Sequence, residues 1–365
     1  MAPVYLYVHD LRSSGVVRDA ITIATLLAAE RPTILVTAYA DGLWRDGIDR
    51  RPFDMAVLRE RQGMLPRVAA IAPLRRWLRR QPPGLLFSFG NHGHSTAYLA
   101  TRGLDHIRRA YRISNEIVRP DGRGNRRRTW WMRRLIADAA RIVLVGQALG
   151  RHAVFAEALE SGRAMWVPSG VERTEAIVSA QAPCPHPWLE EEVPVVIAVG
   201  RLRPQKNLDV LIAAAGLARR ERRLRLILLG GGTVAEQVRL IALARDTGFQ
   251  QDFLLAGETS NVFAWLVRAA VFALPSRWEG SSLALLEAMA VGTPVVASRL
   301  AGDATDVLAA GRYGALFDGS GPVDLAARLL HQLSDDRIMP GERAADYDLA
   351  AIAARYSGII ADMSA

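Results

Sequence analysis

Two stretches of this chain set charged side chains where chemistry can be done. The first is Val195-Val-Ile-Ala-Val-Gly-Arg-Leu-Arg-Pro-Gln-Lys-Asn207, an apolar run ending in Gly200, with Arg201 and Lys206 following within one loop. Asn207 is expected to cap a helix over Leu208–Ala218. Two cations at the carboxyl end of a buried strand, beside a helix start, make a site for a diphosphate. Arginine supplies a planar fork there and lysine a point charge. A solvated loop is the plainer alternative. The second stretch is Ser276-Arg-Trp-Glu279-Gly-Ser-Ser-Leu-Ala-Leu-Leu-Glu287-Ala-Met-Ala290. Gly280 permits close backbone approach, and Ser281 and Ser282 open a helix whose free amides attract anions. A separation of eight residues turns about 80° past two helical turns, which predicts Glu279 and Glu287 on roughly one side of the element. One carboxylate near a sugar and one gripping a ribose diol would suit that spacing. Two surface glutamates would be the ordinary reading, but Glu287 runs into Ala-Met-Ala in an apolar helix, and a buried carboxylate needs a polar partner.

The elements that must position these groups are legible as alternating short apolar runs and longer helical patterns, the signature of parallel sheets. Strands are expected at Val4–Val8, Thr33–Val36, Leu85–Phe89, Ala110–Ile113, Ile142–Val145 and Ala164–Val167. The second half repeats the scheme at Val195–Val199, Leu224–Leu229, Phe253–Leu255, Val271–Leu274, Val295–Ala297 and Ala315–Phe317. Their continuous apolarity fits strands buried on both faces. Between the halves, prolines at 183, 185 and 187 suit neither a helix nor a central strand and mark a linker, with the boundary near 170–190. The expected fold is therefore α/β, with two Rossmann-like domains facing across a cleft and ligands at the carboxyl ends of the strands. A final helix is expected over Ala345–Ile360.

Composition narrows the class. The chain has 365 residues, 50% apolar and 23% charged, which excludes a disordered or coiled-coil protein. Its single cysteine, Cys184, excludes a disulfide framework and a cysteine-based metal cluster. The opening residues lack a basic region and turn polar too soon for a signal peptide, so a cytoplasmic location is expected. No run approaches a membrane span. Of 46 basic residues only Lys206 is lysine, and residues 1–173 hold 28 arginines against 15 acidic residues. Much of that excess lies in Arg123–Arg134, where Arg126, Arg127, Arg128, Arg133 and Arg134 surround Trp130 and Trp131. Such a surface suits anionic lipid headgroups or a phosphorylated acceptor; otherwise it is a helix with Trp130, Trp131 and Leu135 packed inward. No nucleic-acid-binding motif is present, and no nucleic-acid partner is expected. His92 and His94 follow the third apolar run; without a third ligand nearby they suggest an acceptor- or cleft-lining role rather than a metal site, with a solvated loop as the plainer alternative.

The pair Gly-Arg-Leu-x-x-x-Lys-Asn and Glu-Gly-x(6)-Glu-Ala-Met-Ala-x-Gly-x-Pro-Val-Val resembles glycosyltransferase family 4, retaining enzymes of the GT-B fold. Leu229-Gly-Gly-Gly-Thr233, Leu255-Ala-Gly-Glu258, Gly311-Arg-Tyr-Gly-Ala-Leu-Phe317 and Val167-Pro-Ser-Gly-Val-Glu172 extend the resemblance, which is dense over 165–330. It implies domains at 1–174 and 175–344, with 345–365 returning as a helix to the first. It implies that Arg201 and Lys206 hold a donor diphosphate and that Glu287 binds the ribose. Glu279 would contact the donor sugar, and the amides from Gly280 through Ser281, Ser282, Leu283 and Ala284 would line it. Gly257 would lie beside the nucleotide base, and Gly15, in Ser13-Ser-Gly15, near the donor phosphates or acceptor. The chain departs from the family in Ser281-Ser282, in Gly231 where an acidic residue is common, and in lacking the usual histidine after the fourth strand. Asn115 or Glu116, in Arg112-Ile-Ser-Asn-Glu116, would take that histidine's position. The implied activity is metal-independent, cofactor-free transfer from a UDP- or GDP-sugar to a lipid-linked or polysaccharide acceptor, peripherally at the inner face of a membrane. A nucleotide-sugar epimerase and a degenerate sugar-nucleotide-binding protein are the alternatives.

Overall fold

The computed structural model describes all residues except 13–14, 43–50, 116, 119–124 and 365. They form two units, Met1–Ser169 with the segment from Ala350 onward, and Gly170–Leu349. The first unit contains seven parallel strands: β1 (Val4–Val8), β2 (Thr33–Thr37), β3 (Asp54–Val57), β4 (Gly84–Phe89), β5 (Ile107–Ile113), β6 (Arg141–Leu144) and β7 (Ala164–Trp166), ordered 3-2-1-4-5-6-7. The second contains six: β8 (Val195–Val199), β9 (Arg225–Leu229), β10 (Phe253–Gly257), β11 (Val271–Leu274), β12 (Val295–Ser298) and β13 (Ala315–Phe317), ordered 10-9-8-11-12-13. Both are doubly wound sheets. The strand order reverses between β1 and β4 in one and between β8 and β11 in the other, and at such reversals the loops diverge to leave a ligand crevice.

The apolar runs are continuous because each strand feeds two cores. Along β1, Val4, Leu6 and Val8 enter one layer while Tyr5 and Tyr7 enter the other. Along β8, Val195 and Ile197 part from Val196 and Ala198 in the same way. Sequence reading missed β3, whose residues are only half-buried. It is an edge strand with one neighbour, so it carries no continuous apolar run. β5 starts at Ile107, earlier than expected, because Arg108 and Arg109 break its apolarity; Arg109 is neutralised by Asp138 at 2.9 Å.

The proline-rich segment lies inside the second unit rather than between the two. Its carbonyls at Ala180 and Ala182 accept bonds from Arg268 (3.3 and 2.8 Å), and His186 stacks on Trp265. The chain returns to the first unit through the helix Leu349–Ser364, which buries Ile352, Tyr356, Ile359 and Ile360 beside Leu6, Phe87 and Phe89. Side chains of this size stabilise by about 1.5–3 kcal/mol each when fully buried, enough to make the helix integral to that unit.

Candidate functional site

The loops that leave β8 and β11 meet at the reversal of the second sheet. Gly200 (φ +142°) turns the chain out of β8, and its N–H donates to the Leu229 carbonyl at 2.8 Å. A Cβ at this position would stand 2.6 Å from Lys206 Cε, so glycine is what lets the lysine fold back over the strand end. Lys206 Nζ then donates to Glu279 Oε1 at 2.7 Å, with the two side chains 19% and 11% exposed. Glu279 also accepts bonds from Ser276 Oγ (2.8 Å) and Gln205 Nε2 (3.3 Å). Gln205 reaches the Trp278 carbonyl (2.8 Å), and the Arg277 N–H donates back to the Gln205 carbonyl (2.9 Å). The two sequence motifs, 73 residues apart, are thus stitched into one surface. A small cavity lined by Val199, Gly200, Leu202, Lys206, Leu229 and Pro275 lies beneath the lysine. Arg201 is exposed in the same loop and makes no hydrogen bond or ion pair among the described residues.

Two local expectations are corrected. Asn207 does not cap the helix Leu208–Ala218: it adopts the left-handed conformation (φ 53°), and its Oδ1 accepts from Arg277 Nε at 3.0 Å. The side chain that a cap would use is taken by the neighbouring loop. Glu279 and Glu287 do not share a helix face, because the helix begins only at Leu283 and Glu279 lies in the loop before it. Glu287 is 4% exposed within that helix. The first helical amides, at Leu283 and Ala284, have no acceptor within the helix and remain available.

Around this helix start Ser281 Oγ, Ser282 Oγ and Asp303 Oδ1 are buried with no close hydrogen bond among the described residues, although Ser281 still acts on the Asp303 carboxyl. Each such group costs about 1–3 kcal/mol. Gly302 brings Asp303 here, since a Cβ on it would lie 2.3 Å from the Glu279 carbonyl oxygen. Burial pushes the Asp303 carboxyl up to about 7; the charges of Asp306 and Glu279 add to this and Ser281 opposes it. Sequence reading passed over Asp303, although an aspartate flanked by glycine and alanine in an apolar stretch is the signal that marks it. Gly257 (φ +76°) ends β10, and its carbonyl accepts from the Gly230 N–H at 2.7 Å. Next to it Glu258 fills the space beside Gly231: a Cβ there would sit 2.5 Å from Glu258 Oε1.

In the first unit Gly15 opens the helix Gly15–Ala28. Asn115 is exposed, and its carbonyl accepts from Asn91 Nδ2 at 3.1 Å. Glu116 lies outside the described residues. His92 is exposed and contacts Arg67. His94 is corrected: it is 1% exposed, with Nδ1 2.9 Å from Ser88 Oγ and Nε2 3.1 Å from the Arg112 carbonyl. Burial lowers its pKa to about 3, so it is a neutral core residue that cannot meet an acceptor. Sequence reading also missed Arg112, which is 1% exposed and bonds Asp19 (2.6 Å), Ser169 (3.0 Å), Ser114 (3.1 Å) and the Tyr356 hydroxyl (2.9 Å). Burial works against its charge, yet Tyr356 and Asp19 hold it above the ordinary arginine value. A charge within the apolar run of β5, and another within the apolar helix after β1, are the signals that could have found this pair.

The helix Asn125–Asp138 buries Met132, Leu135 and Ile136. Trp131 packs on Tyr98, but Trp130 points outward, 49% exposed, with Arg134 over its ring at 4.7 Å. Arg126, Arg127, Arg133 and Arg134 are exposed, and Arg128 is half-buried. Among the described residues no group of three or more His, Cys, Asp or Glu is arranged to hold a metal ion. No described helix is long and apolar enough to cross a membrane.

Residues 187–351 match the family described as Glycosyl transferases group 1. Over 197 residues the chain is 37% identical to D-inositol 3-phosphate glycosyltransferase 2 of Catenulispora acidiphila, covering 48% of this chain and 46% of that protein. Over 143 residues it is 29% identical to the N-acetylgalactosamine-N,N'-diacetylbacillosaminyl-diphospho-undecaprenol 4-alpha-N-acetylgalactosaminyltransferase of Campylobacter jejuni, covering 39% of this chain and 38% of that protein. The matched segments thus span less than half the length of these curated relatives. The crystal structure of Anabaena HepE in complex with UDP and glucose superposes with a TM-score of 0.83 at 17% identity, over 99% of this chain and 100% of that one. That likeness shows the fold, the pair of parallel-sheet Rossmann-like domains of the GT-B class. The resemblance to glycosyltransferases is borne out over 187–351, the segment that holds both loops of the site.

Proposed function

We propose that the chain is a retaining, metal-independent glycosyltransferase of the family-4 type, moving a hexose-type sugar from a UDP- or GDP-sugar to a hydroxyl of a lipid-linked or polysaccharide acceptor. The observation that carries this is the Lys206–Glu279 pair at the reversal of the second sheet, with the exposed Arg201 in the same loop. In this reading Arg201 and Lys206 bind the donor diphosphate and stabilise the charge of the departing nucleoside diphosphate, helped by the first amides of the helix Leu283–Ala290. Glu287 grips the ribose and Glu279 the sugar. The pair keeps both side chains in place until the donor offers the lysine its phosphates and the glutamate its hydroxyls. The acceptor oxygen bonds to the anomeric carbon on the face from which the diphosphate departs. The bond from that carbon to the diphosphate breaks, and the acceptor proton passes to the diphosphate oxygen, so no protein base is required.

Acceptor recognition falls to the first unit. The exposed Trp130 with Arg126, Arg127, Arg133 and Arg134 supports peripheral docking on an anionic membrane, where a lipid-linked acceptor resides. Relatives named for a diphospho-undecaprenol acceptor and for inositol 3-phosphate support an acceptor that carries phosphate. The test is thermal unfolding with nucleoside diphosphates. A ligand at 100 times its Kd adds about 2.7 kcal/mol, so UDP or GDP is expected to raise the melting temperature. If UDP, GDP and their sugars all leave it unmoved, the donor site is wrongly assigned.

A further inference from the structure

The ladder between β4 and β5 ends at the pair Phe89 and Arg112. Gly90 (φ +79°) then turns the chain out of β4, so close to Val16 that a Cβ would lie 2.9 Å from its Cγ1. On that side the backbone beyond Arg112 loses its strand partner, and a side chain takes over. Asn91 Oδ1 accepts from the Ser114 N–H at 3.2 Å, and Asn91 Nδ2 donates to the Asn115 carbonyl at 3.1 Å. A carboxamide carries the same kinds of donor and acceptor as a peptide, so Asn91 prolongs β5 through Ser114 and Asn115 with no strand beside them. The same dipeptide is held a second time: Arg112 Nη1 donates to Ser114 Oγ at 3.1 Å, while Asp19, Ser169 and Tyr356 fix the guanidinium.

A buried ion pair such as Arg112–Asp19 adds little net stability, because desolvation offsets much of the attraction. Here the pair and Asn91 fix one dipeptide from two directions, and what that dipeptide presents is Asn115. This residue is exposed and is held by its backbone rather than by its side chain. It stands at the carboxyl end of β5, next to β4 and the strand reversal between β1 and β4, where a doubly wound sheet receives its ligands. An uncharged amide offers both donors and an acceptor, which suits a hydroxyl better than a phosphate. We infer that Asn91 is a positioning residue of the transfer reaction: it holds Ser114 and Asn115 so that the Asn115 amide binds a sugar hydroxyl entering this crevice. The inference rests on the transferase reading above and deepens it. The hydroxyl can belong to the sugar in transfer or to the acceptor, and the experiment tells the two apart.

The full chain is compared as wild type, Asn91→Ala, Asn91→Asp and Asn115→Ala. Aspartate keeps the size of Asn91 and the acceptor for Ser114, and removes only the donor to the Asn115 carbonyl. Hydrogen exchange at the Ser114 amide is expected to quicken about tenfold in Asn91→Ala, the size of one lost hydrogen bond, and to stay near wild type in the other two. Turnover is followed as release of UDP from UDP-glucose and of GDP from GDP-mannose, with water alone and with added vesicles of total bacterial lipid. In Asn91→Ala and Asn115→Ala kcat is expected to fall about tenfold, with Asn91→Asp in between. The KM for donor and the affinity for UDP or GDP should stay within about twofold, because the residues assigned to the diphosphate belong to the second unit. A fall already present with water alone assigns the hydroxyl to the sugar in transfer, and a fall seen only with vesicles assigns it to the acceptor. Unchanged kcat in both arms, unchanged exchange in Asn91→Ala, or donor binding that weakens in step with turnover overturns the inference. Wild type that neither binds nor turns over a nucleotide sugar overturns the transferase reading itself, and the inference falls with it.

Discussion

Replacing Lys206 by Met keeps an unbranched stem over Gly200 and deletes only the charge. What it leaves behind is Glu279, whose side chain is 11% exposed and still bonded by Ser276 and Gln205. Removing one partner of a fully buried pair costs about 3–5 kcal/mol. Here the lysine is 19% exposed and two bonds to the carboxylate survive, so a loss of about 1–3 kcal/mol is expected. For a unit of this size that lowers the melting temperature by roughly 3–10 °C. The charge-deleting partner Glu279→Gln should recover much of the loss in the double variant, giving a coupling of about 1–2 kcal/mol. The nucleotide response behaves differently. A charge-assisted hydrogen bond is worth about 1.5–3 kcal/mol, so losing it weakens the diphosphate at least tenfold. At a UDP or GDP concentration that stabilises wild type by about 2.7 kcal/mol, the variant gains about 1.4 kcal/mol or less, and the double variant does not regain the difference. Differential scanning fluorimetry with and without nucleotide reads both effects. A Lys206→Met protein that melts with wild type and keeps the full ligand shift would refute both the pair and its proposed role.

Three further outcomes are expected. Asp303 has a folded pKa of about 7 against about 3.9 unfolded, so the folded state binds its proton more tightly. That stabilisation is complete below about pH 4 and lost as pH rises through about 7. Asp303→Asn should therefore gain on wild type between pH 5 and pH 8 in thermal melts; a constant gap would mean Asp303 is ionised throughout. Arg112→Met strands the buried Asp19 and should cost about 3–5 kcal/mol in denaturant unfolding, and a loss below about 1 kcal/mol would show that the network around Tyr356 and Ser169 carries little stability. Wild type should sediment with vesicles rich in phosphatidylglycerol but not with phosphatidylcholine, and Trp130→Ala/Arg133→Glu/Arg134→Glu should abolish this; equal behaviour with both lipids would sink the membrane docking.

Much of the fold was legible because a doubly wound sheet writes itself as apolar runs. Burial on both faces removes the alternation that would otherwise leave a strand ambiguous, and β1, β8 and β11 show it end to end. What the pattern could not carry was order. Nothing in Val195–Val199 says that β9 lies on one side of it and β11 on the other, yet that reversal is what brings the Lys206 and Glu279 loops together. Edge strand β3 failed for the opposite reason: with one neighbour and half-exposed residues it has no apolar run to read.

At the site, the residue types were legible and their local conformations were not. Helical arithmetic placed Glu279 and Glu287 on one face, but the loop keeps Glu279 free of the helix so that its carboxylate can receive Lys206. His94 read as an acceptor-lining residue because a histidine pair beside glycines, after a strand, is what such loops often contain. Its ring is instead satisfied from both sides by Ser88 and a backbone carbonyl. Gly231 shows how a motif departure can be resolved by space. The acidic residue that the resemblance leads one to expect there is absent, and the exposed Glu258, from the neighbouring strand's loop, rests its carboxylate where a Cβ at 231 would stand 2.5 Å from Oε1. The carboxylate on this surface comes from Glu258, in exchange for one at 231. Such an exchange is invisible to a reading that follows one motif at a time. Because Glu258 is exposed and can swing aside, Gly231→Asp is expected to cost about 1 kcal/mol or less, chiefly from two like charges side by side, and Gly231→Asp/Glu258→Ala to recover it. Equal melting temperatures for the single and double variants would show that the two positions do not share that space.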